Sequence, residues 1–137
     1  LSDKLRWPLF WALVAVFILI VCFFAIPAFG ELLAGSLWLL SPFALFFVLG
    51  VALIIFSVWG NVSGWLKTFF ILTGASAAGV LVSVLLHNLV YGLFDDFWNG
   101  GDEFFFFIIA LFVCMLCFLV GMVGTIIIGA RRRRASP

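Results

Sequence analysis

The sequence predicts an all-α integral membrane protein, a single transmembrane domain formed by an antiparallel four-helix bundle, and three observations carry that expectation. Hydrophobic residues make up 67% of the 137 residues and charged ones only 9%, with a mean hydropathy of +1.40, far from the balance of a water-soluble domain. Four apolar runs are long enough to cross about 30 Å of hydrocarbon, which takes about 20 helical residues. The charges cluster at or beyond the ends of those runs, and apart from Asp3 their sign alternates from one cluster to the next.

The first run, Trp7 to Ile26, has Pro8 where a first helical turn tolerates a missing N–H, and Pro27 where the helix must stop or bend. It is longer than a signal-peptide core, and no small-x-small cleavage site follows Pro27, so it reads as a retained helix. Residues 28–41, within "AFGELLAGSLWLLSP", fit either an outer loop or an interfacial helix, the loop being preferred. The second run is Leu37 to Trp59. "GNVSGW", Gly60 to Trp65, then makes a tight turn whose Asn61-Val62-Ser63 has the form of a glycosylation sequon, left unmodified if the turn is cytoplasmic. The third run, Leu66 to Leu93, and the fourth, Phe104 to Ala130, flank the acidic segment "FDDFWNGGDE". Strands of a membrane barrel would alternate apolar and polar residues, and these runs are continuously apolar.

Topology follows from charge. Lys4, Arg6, Lys67 and Arg131 to Arg134 lie on one side of the four-helix scheme, with Asp3 the one acidic residue among them, whereas Glu31, Asp95, Asp96, Asp102 and Glu103 lie on the other. The positive-inside rule then places both termini and the middle turn in the cytoplasm, in a cell's inner membrane. Tryptophan agrees, because an indole favours the interface, where its ring is apolar and its N–H is wet. Trp7, Trp11, Trp59 and Trp65 fall near the inner helix ends, Trp38 and Trp98 near the outer ones.

Polar groups inside the runs are the candidates for function. On the third helix Thr73, Ser76, Gly79, Ser83, His87 and Tyr91 share one broad face, with Asn88 on its flank. Gly74 with Ala78, and Ala75 with Gly79, have the small-xxx-small spacing that lets a neighbouring backbone approach. A packing face whose hydroxyls bond back to their own helix is the reading preferred to a polar conduit. Cys117, Gly121, Thr125 and Gly129 give the fourth helix a matching strip.

His87 is the chain's one histidine, and a neutral imidazole wants two partners. It can bridge two helices. Alternatively, Ser83, His87, Asn88 and Tyr91 can form a proton or ligand site opening outward, with the acidic cluster Asp95, Asp96, Asp102 and Glu103 at its mouth. Those carboxylates also have local roles, since Asn99-Gly100-Gly101 is a turn signal and Asp102-Glu103 meet the positive end of the fourth helix. They match no defined metal site, and the sequence implies neither metal nor cofactor. The Cys114-x-x-Cys117 pair lies in mid-helix and reads as small apolar packing.

The run Arg131 to Arg134 suits the cytoplasmic face and the anionic lipids there; nothing points to nucleic acid. The stretches "LTGASAAG" and "LHNLVYGLF" resemble the third helix of an uncharacterised family of small prokaryotic multi-pass membrane proteins. That resemblance implies a multi-pass membrane protein and carries no activity or site residue. Most marked residues are explained by packing, anchoring or topology. The expectation is therefore a non-enzymatic interaction or accessory subunit, as a homo-oligomer or beside another membrane protein. The alternative is a small transporter, channel or ligand-binding protein using the site around His87.

Overall fold

The computed structural model describes residues 2–26, 41–94, 108 and 112–135. Among them the chain is all-helical, with four helices: α1 (Ser2–Ala25), α2 (Ser41–Trp59), α3 (Trp65–Phe94) and α4 (Cys114–Ala135). All four are long and apolar enough to cross a membrane. The segment 28–40, the acidic segment 95–103 and the expected start of the fourth helix at residue 104 lie outside the described residues.

Two boundaries differ from the sequence reading. The first helix starts at Ser2 rather than Trp7, so Pro8 sits inside it. Pro8 removes one ladder bond, to the carbonyl of Lys4, and both residues are exposed, away from the packed face. The fourth helix does not stop at Ala130 but continues through all four arginines. Arginine is a good helix former, and cations at a helix C-terminus meet the negative end of its dipole.

The turn between α2 and α3 is short for a specific reason. Gly64 has φ +68°, a left-handed conformation that a side chain disfavours. Its carbonyl accepts the N–H groups of Lys67 (3.0 Å) and Thr68 (3.3 Å), which starts α3. The Lys67 ammonium donates to the Val58 carbonyl at 3.4 Å, capping the last turn of α2. This turn joins two antiparallel helices.

Contacts at that end fix the direction of the others. Arg6, near the start of α1, lies against Gly60 just past the end of α2. Arg132, at the end of α4, donates through Nη2 to the Ser63 carbonyl at 2.8 Å. The four helices therefore alternate in direction. Helices adjacent in sequence make the most extensive contacts, α1 on α2, α2 on α3 and α3 on α4.

Two kinds of packing hold the bundle. At the close crossings small residues let backbones meet. A Cβ on Gly50 would lie 2.7 Å from the Gly74 carbonyl oxygen, and one on Gly74 would lie 2.6 Å from that of Gly50. Between α3 and α4 a Cβ on Gly121 would lie 2.5 Å from Thr73 Oγ1 and 2.9 Å from its backbone nitrogen. In hydrocarbon, where burial of apolar area gives little drive, such approach gains dispersion contact.

Elsewhere aromatic rings fill the space between helices. Phe17 of α1 stacks on Phe118 of α4 with centroids 4.5 Å apart, and Phe46 of α2 lies 5.2 Å from Phe118. Nearer the arginine end, Trp7, Phe10 and Phe70 meet edge to face at 5.5–5.8 Å. These contacts close α1 against α3 and α4. The outward faces are equally apolar, with Ile18, Leu19, Val48, Leu85, Leu116 and Val120 exposed.

Two hydroxyls in this interior have a measurable cost. Ser57 Oγ and Thr125 Oγ1 are buried without a hydrogen-bond partner among the described residues, and both side chains have 0% exposure. Thr125→Val keeps the branched shape and removes the unsatisfied group. A gain of about 1 kcal/mol is expected, read as a raised melting midpoint in detergent, whereas a lowered midpoint would mean the hydroxyl has a partner.

Candidate functional site

The polar stripe of α3 divides into parts with different surroundings. Thr73 is fully buried and its Oγ1 donates to the Phe69 carbonyl at 2.8 Å. Ser76 Oγ donates to the Leu72 carbonyl at 2.7 Å. Both hydroxyls are thus satisfied by the preceding turn of their own helix, which leaves their apolar surface for the neighbouring helix. Ser83 is buried beside the Cys114 thiol of α4. The Cys114 sulfur also covers Gly79, where a Cβ would lie 3.0 Å away. The cysteines are free thiols, and Cys114 and Cys117 are both half-buried.

Ser83 and His87, one turn apart, share a side of α3, with His87 half-buried. Asn88 is exposed and turned away from them. Of the four residues expected to make an outward site, the structure brings Ser83 into the α3–α4 seam and leaves Asn88 outside it. The Tyr91 side chain and Asp95, Asp96, Asp102 and Glu103 lie outside the described residues. Among the described residues no group of three or more His, Cys, Asp or Glu could hold a metal ion.

The small residues sort in the same way. Gly74 and Ala78 lie at the crossing with Gly50 of α2, joined there by Ala77. Ala75, paired with Gly79 in the sequence reading, instead faces out of the bundle and is exposed. The turn that points Gly74 at α2 carries the next residue about 100° round the helix, away from it. On α4, Gly121, Thr125 and Gly129 are buried in one row, and Gly121 faces Thr73 of α3.

The other constellation sits at the end where the basic residues gather. Trp7 lies over Gly129, so close that a Cβ there would collide with the indole. Arg133, one turn further on, places its guanidinium carbon 5.3 Å from the centre of the Trp7 ring. Arg132 donates to the Ser63 carbonyl, and all four arginines are exposed. Arg6, treated in the sequence as one more topological charge, is only 2% exposed and packs on Gly60. Trp11, Trp59 and Trp65 ring the same end and are 51%, 81% and 72% exposed, a girdle of indoles beside guanidinium groups.

Sequence reasoning missed Gly50, the Phe17–Phe46–Phe118 cluster and the pairing of Trp7 with Gly129. One signal was available for the last: Trp7 and Trp11, like Gly129 and Arg133, are four residues apart, which puts each pair on one helix face.

Among the described residues, fold and contacts are those of an all-helical protein with four candidate membrane-spanning helices. No protein-family model matches it, and neither does any curated protein or solved structure.

Proposed function

We propose that the chain is a non-enzymatic subunit of a membrane assembly, built into the cytoplasmic membrane with both termini and the arginine run inside the cell. The orientation rests on the positive-inside rule applied to the one end that carries Lys4, Arg6, Lys67 and Arg131 to Arg134. Its partner is another membrane protein or a second copy of the chain.

The observation that carries this reading is the filled interior. Phe10, Phe46, Phe70 and Phe118 are no more than 1% exposed, and helix backbones meet at Gly50–Gly74 and at Gly121–Thr73. The hydroxyls of Thr73 and Ser76 are bonded to their own helix rather than lining a passage. Such a bundle suits a rigid body that presents outer surfaces to neighbours, more than a conduit through its centre.

Crosslinking in native membranes, followed by mass spectrometry, tests it. A reproducible crosslinked neighbour, either a second copy or another membrane protein, is expected; a strictly monomeric chain with no recurring neighbour would sink the proposal.

A further inference from the structure

Beside the Trp7–Arg133 contact lies a cleft between α1 and α4 of about 160 Å³, lined by Trp7, Trp11, Ile126, Gly129, Ala130 and Arg133. We infer that this cleft binds one anionic phospholipid, with its phosphate on Arg133 and the start of an acyl chain against Trp11 and Ile126. The inference rests on the membrane reading above, which puts this end of the bundle in the inner leaflet.

Shape comes first. Gly129 and Ala130 offer almost no side chain, so α4 is locally thin where the large rings of α1 approach it, and an opening remains next to them. Its volume is below the roughly 300–1,000 Å³ of pockets that enclose a whole small molecule. The cleft therefore suits a ligand that inserts one part and leaves the rest outside. A phospholipid with its tails in the bilayer is such a ligand.

Polarity runs along the cleft in the direction a lipid requires. Arg133 is seven residues beyond Ile126, about 10 Å along the helix, and Trp11 is about 6 Å below Trp7. The charged group thus stands at the helix end and the apolar wall lies deeper. Lys4 is exposed two turns before Trp11 on the same face of α1, adding a second cation beyond the mouth.

Arg133 also differs from its neighbours in preparation. Its guanidinium carbon lies over the Trp7 ring, 5.3 Å from the centre, which holds the cation at the cleft, and a guanidinium can bind a phosphate through two parallel bonds. Arg132 has its Nη2 on the Ser63 carbonyl. The four arginines are not equivalent, and one of them is poised at a cleft. A free phosphate would meet mostly tryptophan, isoleucine, glycine and alanine, so the apolar lining favours the lipid.

Native mass spectrometry of the full chain, released from vesicles of mixed phosphatidylglycerol and phosphatidylcholine with identical tails, tests the assignment. One phosphatidylglycerol per chain is expected to be retained in preference by about fivefold or more. Arg133→Gln should abolish the preference, and Ala130→Phe should abolish it by filling the cleft with every arginine in place. Arg131→Gln removes the same charge outside the cleft and should leave the preference within about twofold. Millimolar inorganic phosphate should not displace the lipid. The assignment is overturned by no preference in the wild type, by equal losses in the two arginine variants, by retention in Ala130→Phe or by displacement with phosphate. Flotation of the chain with vesicles checks insertion separately: a chain that floats without preference overturns the lipid site and leaves the membrane reading standing.

Discussion

Gly50→Val is expected to lower the melting midpoint in detergent by roughly 10 °C, which for a chain of this length corresponds to a loss of about 3 kcal/mol. The atom that an added Cβ would meet is the Gly74 carbonyl oxygen at 2.7 Å, with Ala77 Cβ at 3.0 Å and the Ala78 nitrogen at 3.2 Å. A flexible side chain could swing away, but helix backbone cannot. The α2–α3 crossing must therefore open along much of its length, forfeiting many small dispersion contacts together. Gly74→Val should do the same from the other side, because its Cβ would meet the Gly50 oxygen and Ile54. Gly92→Val is the control, since among the described residues nothing lies within 4 Å of a Cβ there. Equal midpoints for Gly50→Val and Gly92→Val would mean that the two backbones do not meet at Gly50.

The second large effect is expected for Phe118→Ala, a loss of about 3 kcal/mol, at the low end for deletion of a core aromatic. The ring is fully buried and touches Phe17 and Phe46, so its removal leaves a cavity bounded by α1, α2 and α4. The low end applies because a helix separated within the membrane already sits among hydrocarbon. What is lost is close packing more than transfer from water. Pairing Phe118→Ala with Phe17→Ala in a double-mutant cycle should give a coupling of about 1 kcal/mol. Phe112, 63% exposed, supplies the comparison, and its alanine variant should melt near the wild type. If Phe112→Ala and Phe118→Ala cost the same, the three-ring cluster does not hold the bundle.

These two sites illustrate what was legible beforehand. Gly74 and Gly121 could be picked out because small residues at four-residue spacing stand out among Leu, Ile and Phe, and their role follows from size alone. Gly50 sits alone between Leu49 and Val51, without a small residue four positions away on the same helix to mark it. The chain has nineteen phenylalanines, and nothing in the pattern separates Phe118, which is buried, from Phe112, which is exposed. Ala75 fails for the same reason in reverse: its spacing to Gly79 is right, but it points out of the bundle.

The proposed lipid site shows a similar split. The four arginines were conspicuous as a run, and their attraction to an anionic leaflet follows from charge. That Arg132 turns to the Ser63 carbonyl and Arg133 to Trp7 depends on α4 continuing as a helix through them. Helical spacing then sends successive side chains about 100° apart, so one reaches the α2–α3 turn and the other α1.

The helical class and the four apolar runs can be read from the residues alone, because hydropathy is a property of each local segment. Which faces meet depends on the folded bundle. In a water-soluble bundle a polar outer face would mark the inner one, but here Leu85 and Leu116 face outward as readily as Leu13 and Leu53 face inward. With polarity unable to sort the faces, shape does: glycine admits a backbone at Gly50 and Gly121, rings fill the gaps at Phe118 and Phe70, and both depend on residues distant in the chain.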